Sequence, residues 1–153
     1  MLLTPHLLVG AAIASKISNP FLALPLAFLS HYFFDLIPHD DYSIINIGEK
    51  RWNKSFFDFF KVFLDILVGI FLISLFSHNN PMIFAAAFLA IVPDGITMFD
   101  ILFPQNNKLV ILHQNLHMAV NNIGDRDDNK KITLFWAIAS QIAVILIAIF
   151  LLR

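Results

Sequence analysis

Residues 20–39 read PFLALPLAFLSHYFFDLIPH, an apolar stretch that ends in two histidines and an aspartate. His31 and Asp35 lie four residues apart, so on a helix they share one face. Pro38 ends such a helix, and His39 lies just beyond it. Ionisable side chains in a membrane-like segment are costly, so they indicate a functional site. This stretch therefore predicts a membrane helix that carries a functional polar cluster near its end.

The composition of the whole chain is typical of an integral membrane protein. Of its 153 residues, 58% are hydrophobic and 14% are charged, and the mean hydropathy is +0.75. Soluble domains carry about 25% charged residues. The net charge of −1 gives no reason to expect nucleic-acid binding. Because the chain contains no cysteine, any bound metal would depend on histidine and carboxylate ligands.

Start and stop signals predict six helices within a single domain, residues 1–153. Five are interpreted as membrane spans, although the first is short. The fifth helix in the chain is amphipathic and too short to cross, so it is predicted to lie in the interface or to re-enter the bundle. Pro93 is expected to kink the fourth helix, and Gly10 and Ala14 to let another helix approach the first. The predicted ranges are about 5–17, 20–37, 55–77, 81–103, 107–120 and 132–152.

Short connections make successive helices antiparallel, so their ionisable residues collect at one end of the predicted bundle. His113 and His117 form a second pair four residues apart, on the fifth helix. Asp35, Asp94 and His39 are expected to take part in catalysis, with Asp35 or Asp94 as a bridging ligand. The predicted metal ligands are His6, His31, Asp35, His39, Asp94, His113 and His117.

Imidazole and carboxylate groups in this pattern suit zinc and other first-row divalent ions. Two ligands that lie four residues apart on a helix can reach the same ion. The candidate ligands exceed what one four-coordinate ion needs, so one or two ions are expected. Two ions bridged by a carboxylate can stabilise both the attacking and the leaving oxygen of a phosphoester.

Basic residues are unevenly distributed between the two ends of the predicted bundle. Eight of the ten Lys and Arg residues fall at the end that carries the histidines. The positive-inside rule therefore predicts a site that faces the cytoplasm, in a bacterial-type inner membrane crossed several times. The eight are Lys50, Arg51, Lys54, Lys61, Lys108, Arg126, Lys130 and Lys131.

Three motifs resemble a bacterial family of predicted membrane-bound metal-dependent hydrolases, which includes the LexA-binding inner-membrane hydrolases. They are Thr-Pro-His-x-x-x-Gly at 4–10, Ser-His-x-x-x-Asp-x-x-Pro-His at 30–39 and Pro-Asp-Gly at 93–95. The second motif is also distantly similar to the His-x-x-x-Asp-spacer-His segment of zinc phospholipase C and the S1/P1 nucleases. Those enzymes are all-helical and hydrolyse phosphoesters on a zinc cluster. The resemblance implies that the two histidines and the aspartate of the second motif are metal ligands.

These observations predict an all-α polytopic membrane protein that hydrolyses a phosphoester of a lipid or another amphiphile. Intramembrane histidine and aspartate suit a divalent-cation or proton transporter equally well. A third hypothesis is a non-catalytic membrane scaffold in which a metal only ties helices together. The role of Asp65 stays open, because it could join the site or form an intrahelical ion ladder with Asp58 and Lys61.

Overall fold

The computed structural model describes residues 1–77, 80–104, 106–124 and 134–153, and the regular structure within these ranges is entirely helical. Arg126, Lys130 and Lys131, which contribute to the predicted orientation, lie outside the described residues. A 3-10 turn at Trp52–Lys54 precedes the helix Phe56–Phe76. The α-helices in the described ranges are α1 (Leu3–Lys16), α2 (Pro20–Phe34), α3 (Ile45–Gly48), α4 (Phe56–Phe76), α5 (Pro81–Ala90), α6 (Val92–Leu102), α7 (Lys108–Gly124) and α8 (Leu134–Leu152).

Two of these helices begin with the same N-cap arrangement. Asn19 precedes α2, and its side chain accepts a hydrogen bond of 2.9 Å from the backbone N–H of Phe21. Asn80 caps α5 in the same way, at 2.9 Å from the nitrogen of Met82. Each cap is followed by a proline at the first helical position, where the missing N–H costs no helical hydrogen bond. The start of the second helix predicted at about residue 20 is therefore confirmed.

Two helices in the described ranges are long and apolar enough to cross a membrane, namely α4 and α8, with mean hydropathies of 2.4 and 2.5. Helices α5 and α6 are a third candidate only as a pair, because they meet at a bend of 51°. This is fewer than the five spans expected from the sequence. The reason is length: α1 has 14 residues and α2 has 15. At ~1.5 Å per residue they measure about 21 and 22 Å, short of a ~30 Å hydrocarbon core.

Helix α1 is the central helix of the bundle. Eleven of its 14 residues are buried, and it packs against α2, α4, α5 and α8. Gly10 lies very close to α5, since a Cβ there would lie 2.6 Å from the carbonyl oxygen of Ala86 and 2.7 Å from Cβ of Ala90. The predicted close approach of another helix to Gly10 is confirmed, and that helix is α5.

The N-terminus of α1 lies well inside the bundle. The carboxylate of Asp65 accepts hydrogen bonds from the backbone nitrogens of Leu3 and Thr4, at 2.6 and 3.2 Å, and from the Thr4 hydroxyl at 2.6 Å. Asp65 is nine residues into α4, which is about 14 Å at ~1.5 Å per residue. The backbone nitrogen of Leu2 similarly reaches the side chain of Gln141 in α8, at 3.1 Å. Side chains near the start of α1 therefore lie deep in the bundle, far along α4 from its first residue.

Helix α7 is amphipathic, as the sequence predicts. Its side chains Leu109 and Leu112 are 73% and 65% exposed, whereas His117 is buried. The helix packs against α6 and presents its histidines to the end of α2. The polar face of α7 thereby closes over the place where the ionisable residues collect.

Candidate metal centre

Five of the seven predicted ligands meet where α1, α2, α6 and α7 converge. His6 comes from α1, His31 and Asp35 from the end of α2, Asp94 from the first turn of α6, and His117 from α7. His6, His31 and Asp35 are almost completely buried, and His117 is also buried. The Asp94 side chain is 30% exposed and is the most accessible of the five.

Three of the buried residues place their nitrogen and oxygen atoms at the spacing of ligands around one ion. Nε2 of His31 lies 3.1 Å from Oδ2 of Asp35 and 3.1 Å from Nε2 of His117. Nε2 of His117 lies 3.4 Å from the same Oδ2. Zinc bonds of ~2.0–2.1 Å at tetrahedral angles would separate two ligand atoms by about 3.3 Å. The three atoms therefore match one face of a tetrahedral site.

The backbone of α5 orients the ring of His31. Nδ1 lies 3.0 Å from the carbonyl oxygen of Ala90. A carbonyl can only accept a hydrogen bond, so Nδ1 carries the proton and Nε2 of the neutral ring presents a lone pair to the cluster. In metal sites such an outer hydrogen bond fixes both the tautomer and the direction of the ring.

Asp35 uses both of its carboxylate oxygens. While Oδ2 faces His31 and His117, Oδ1 lies 3.1 Å from Nε2 of His6 and 3.0 Å from the nitrogen of Met1. The other ring nitrogen of His6 is buried and has no hydrogen-bond partner among the described residues. Asp35 therefore lies between the histidines of α1, α2 and α7, with its two oxygens facing different histidines.

Asp94 borders the cluster on its open side. Its Oδ1 lies 3.6 Å from Nε2 of His31 and 3.4 Å from Nε2 of His117. His6, His31 and Asp94 form a second group whose ligand atoms could hold an ion. Since His31 has one lone pair to give, this group and the set of His31, Asp35 and His117 cannot both be complete. The geometry therefore suits one ion better than two.

The carboxylates of Asp35 and Asp94 favour a positively charged partner in this cluster. Burial alone would lower the pKa of His117, but hydrogen bonds with Asp35 and Asp94 raise it to about 9. A proton and a metal ion compete for the same nitrogen lone pair. The cluster can therefore balance its two carboxylates with a protonated imidazole or with a divalent cation.

The structure does not bring His113 to the cluster. Its Nε2 lies 3.1 Å from the carbonyl oxygen of Pro93, so this nitrogen carries the proton. Its Nδ1 accepts a hydrogen bond of 2.8 Å from the hydroxyl of Tyr32. Both nitrogens of His113 are thus engaged, and the residue holds the backbone just before Asp94.

His39 also lies apart from the other predicted ligands. Its Nδ1 lies 2.7 Å from the carbonyl oxygen of Ile37, and its Nε2 lies 3.6 Å from Oδ2 of Asp41. Burial alone would lower the pKa of His39, but the contact with Asp41 gives a net rise. Partial burial would raise the pKa of Asp41, but His39 and the amino group of Met1 lower it to about 2. The two residues form an ion pair at the rim of the site.

The acidic residues of α4 have structural partners. Asp58 accepts hydrogen bonds from the backbone nitrogens of Asn46 and Ile47, at 2.9 and 3.3 Å, and lies 3.5 Å from Lys61. Only this half of the proposed ion ladder forms, because Asp65 is engaged by the N-terminus of α1.

Two groups that shape the site were missed by the sequence analysis. The carbonyl of Ala90 orients His31, and no sequence signal marks a backbone carbonyl. The hydroxyl of Tyr32 orients His113. A tyrosine that directly follows His31 in an apolar segment was a visible signal, because a buried hydroxyl requires a partner.

No family model, curated protein or solved structure matches this chain. The resemblance to membrane-bound metal-dependent hydrolases therefore stays a prediction. The buried histidine and aspartate groups could nevertheless hold a metal ion. Nitrogen and oxygen donors of this kind suit zinc and related first-row divalent ions.

Proposed function

We propose that this chain is a membrane-embedded, zinc-dependent hydrolase of phosphoesters, of the family that its motifs resemble. The observation that carries the proposal is the three-ligand face formed by His31, Asp35 and His117. Catalytic zinc sites keep three protein ligands and one open position, whereas structural sites use four protein ligands. Asp94 borders that open position and is partly exposed.

Hydrolysis of a phosphoester adds the oxygen of water to phosphorus and breaks the bond from phosphorus to the ester oxygen. A bound zinc ion would lower the pKa of water towards neutrality and polarise the phosphoryl oxygen. The proton lost by water must reach the departing alcohol. Asp94 is placed to carry that proton, because it lies beside two of the ligands and faces the accessible side of the cluster.

The proposed setting is a bacterial cytoplasmic membrane, crossed five times, with the site opening towards the cytoplasm. The proposed crossings are α4, α8, the α5–α6 pair and the two helices α1 and α2, which are shorter than the hydrocarbon core, while α7 lies in the interface. The exposed leucines Leu109 and Leu112 on α7 support contact with lipid. Five of the basic residues that define the cytoplasmic end are described, and they precede α4, lie in its first half or begin α7. A site within reach of headgroups would act on a lipid or another amphiphile.

The first test measures metal content and hydrolysis in the purified protein. We expect zinc by elemental analysis and hydrolysis of at least one member of a phosphoester panel, lost on chelation and restored by zinc. His31→Ala and His117→Ala should lose the metal, because each removes one of the three ligands. His39→Gln should retain it, because His39 contacts Ile37 and Asp41 instead.

Three outcomes would contradict the proposal. Zinc that stays bound while no phosphoester is hydrolysed would favour the non-catalytic scaffold. Zinc uptake into proteoliposomes, lost with the same histidine variants, would favour the transporter. Metal retained in both His31→Ala and His117→Ala would remove the basis of the site itself.

A further inference from the structure

An apolar cavity of about 300 Å³ adjoins the candidate metal centre. It lies between the start of α1, the first half of α4 and the length of α6, next to residues 41–44. Its walls are mainly aliphatic, although the acidic side chains Asp41 and Asp94 also line the cavity. The aliphatic residues include Leu3, Val62, Ile66, Ile91, Met98 and Ile101.

The cavity and the metal cluster share one residue. Asp94 lines the cavity and also places its Oδ1 3.6 and 3.4 Å from the ring nitrogens of His31 and His117. Asp41 and Tyr42 also line the cavity. A molecule in the cavity would therefore have its polar end beside Asp94 and the rest of its length among aliphatic side chains.

The chemistry of the walls selects the occupant. A sugar, a nucleotide or a peptide in this cavity would lose its hydrogen bonds to water and find few protein partners, which is costly. A hydrocarbon chain would gain free energy from burial. Asp94 and Ile101 are seven residues apart on α6, about 10 Å at ~1.5 Å per residue. An extended alkyl chain advances ~1.25 Å per carbon–carbon bond of ~1.5 Å, so this is the length of a chain of roughly eight or nine carbons.

We propose that this cavity binds one alkyl chain of the substrate, and that the substrate is an amphiphilic phosphoester whose ester group lies at Asp94. This substrate class rests on the proposed hydrolase function. The cavity meets the metal cluster at Asp94, so the ester group would lie there with the chain along the cavity. Since the walls reach Ile101, chains shorter than about eight carbons leave part of the cavity unfilled.

Binding can be measured without hydrolysis, using an alkyl phosphonate that carries a photoreactive diazirine on its terminal carbon. The probe is added to the protein in phosphatidylcholine nanodiscs, with zinc bound and after chelation, and the labelled residues are found by mass spectrometry. With an eight-carbon probe, labelling is expected at the far end of the cavity, at Met98 and Ile101.

A matched pair of α4 variants tests where the chain lies. Ile66→Trp fills the cavity, and labelling of Met98 and Ile101 should fall at least about tenfold, the effect of two unburied methylenes. Val68→Trp adds the same indole on the 50% exposed side of the helix and should leave labelling unchanged. Ile101→Trp repeats the test from the α6 side of the cavity. The zinc content and the thermal unfolding midpoint of each variant show whether it is folded.

The outcomes separate this inference from the proposed function. Labelling within the cavity without hydrolysis of any phosphoester would keep the chain-binding cavity and overturn the hydrolase. Hydrolysis of a soluble phosphoester with labelling confined to outward-facing residues such as Phe71 would keep the hydrolase and overturn the cavity. Equal labelling in Ile66→Trp and Val68→Trp would also overturn the cavity, because the probe would then label the protein from the bilayer.

Discussion

At the scale of single residues, Asp65 links α4 to the N-terminus of α1. Its carboxylate accepts two backbone N–H groups and the Thr4 hydroxyl. Asp65→Asn keeps the shape but removes the charge that suits a helix N-terminus, so we expect a loss of stability of about 1–3 kcal/mol. This loss of stability should appear as a lower thermal unfolding midpoint of the purified protein. The zinc content at low temperature should stay at the wild-type level.

Glu49→Gln is the matched control for Asp65→Asn. Glu49 is 60% exposed and pairs with Arg51 at the surface, an arrangement that contributes at most about 1 kcal/mol. Its unfolding midpoint should therefore change little. If Asp65→Asn instead lost zinc and kept its midpoint, Asp65 would be a metal ligand, which is the alternative that the sequence left open.

At the scale of secondary-structure elements, the contact between α1 and α5 positions two of the candidate ligands. Gly10 allows α5 to approach, and the carbonyl of Ala90 on that helix orients His31. In Gly10→Ala the added Cβ would meet the backbone oxygen of Ala86, so α1 and α5 must separate. We expect a cost of about 1–3 kcal/mol and a weaker affinity for zinc, measured by thermal unfolding and by competition with a chelator.

Gly48→Ala provides the comparison for Gly10→Ala. A Cβ at Gly48 would meet nothing within 4 Å, and the residue lies on α3 away from the α1–α5 contact. Its stability and zinc affinity should match those of the unmodified protein. Unchanged zinc affinity in a destabilised Gly10→Ala variant would show that packing and ligand orientation are independent.

The elements also show what the sequence can predict. Asn-Pro caps, the kink at Pro93 and the four-residue spacing of His31 and Asp35 are local signals, and the structure follows each of them. Whether His113 or His117 turns towards the cluster depends on a partner 81 or 86 residues away. Periodicity places both on one face but cannot choose between them. The role of Asp65 was equally hidden, because its partners come from a distant helix.

At the scale of the whole molecule, the two short helices α1 and α2 each have one end beside the candidate site. Helix α1 begins beside Asp65, well below the start of α4, and α2 ends at Phe34, where Asp35 enters the cluster. Backbone that leaves a helix at membrane depth is tolerated when protein buries it or when it lines a cavity. If α1 and α2 cross the membrane as proposed, the cluster and the cavity would supply that environment.

The proposed five crossings predict which parts of the chain face the same compartment. The chain has no cysteine, so a single introduced cysteine is the one thiol that a maleimide can label. Asn53→Cys before α4 and Asn107→Cys before α7 should react with an impermeant maleimide only after the cells are permeabilised, because both positions belong to the cytoplasmic end. Ser18→Cys, an exposed position between α1 and α2, should react in intact cells. Ser18 and Asn53 on one side would mean that α2 does not cross, and the short helices would then form a re-entrant pair.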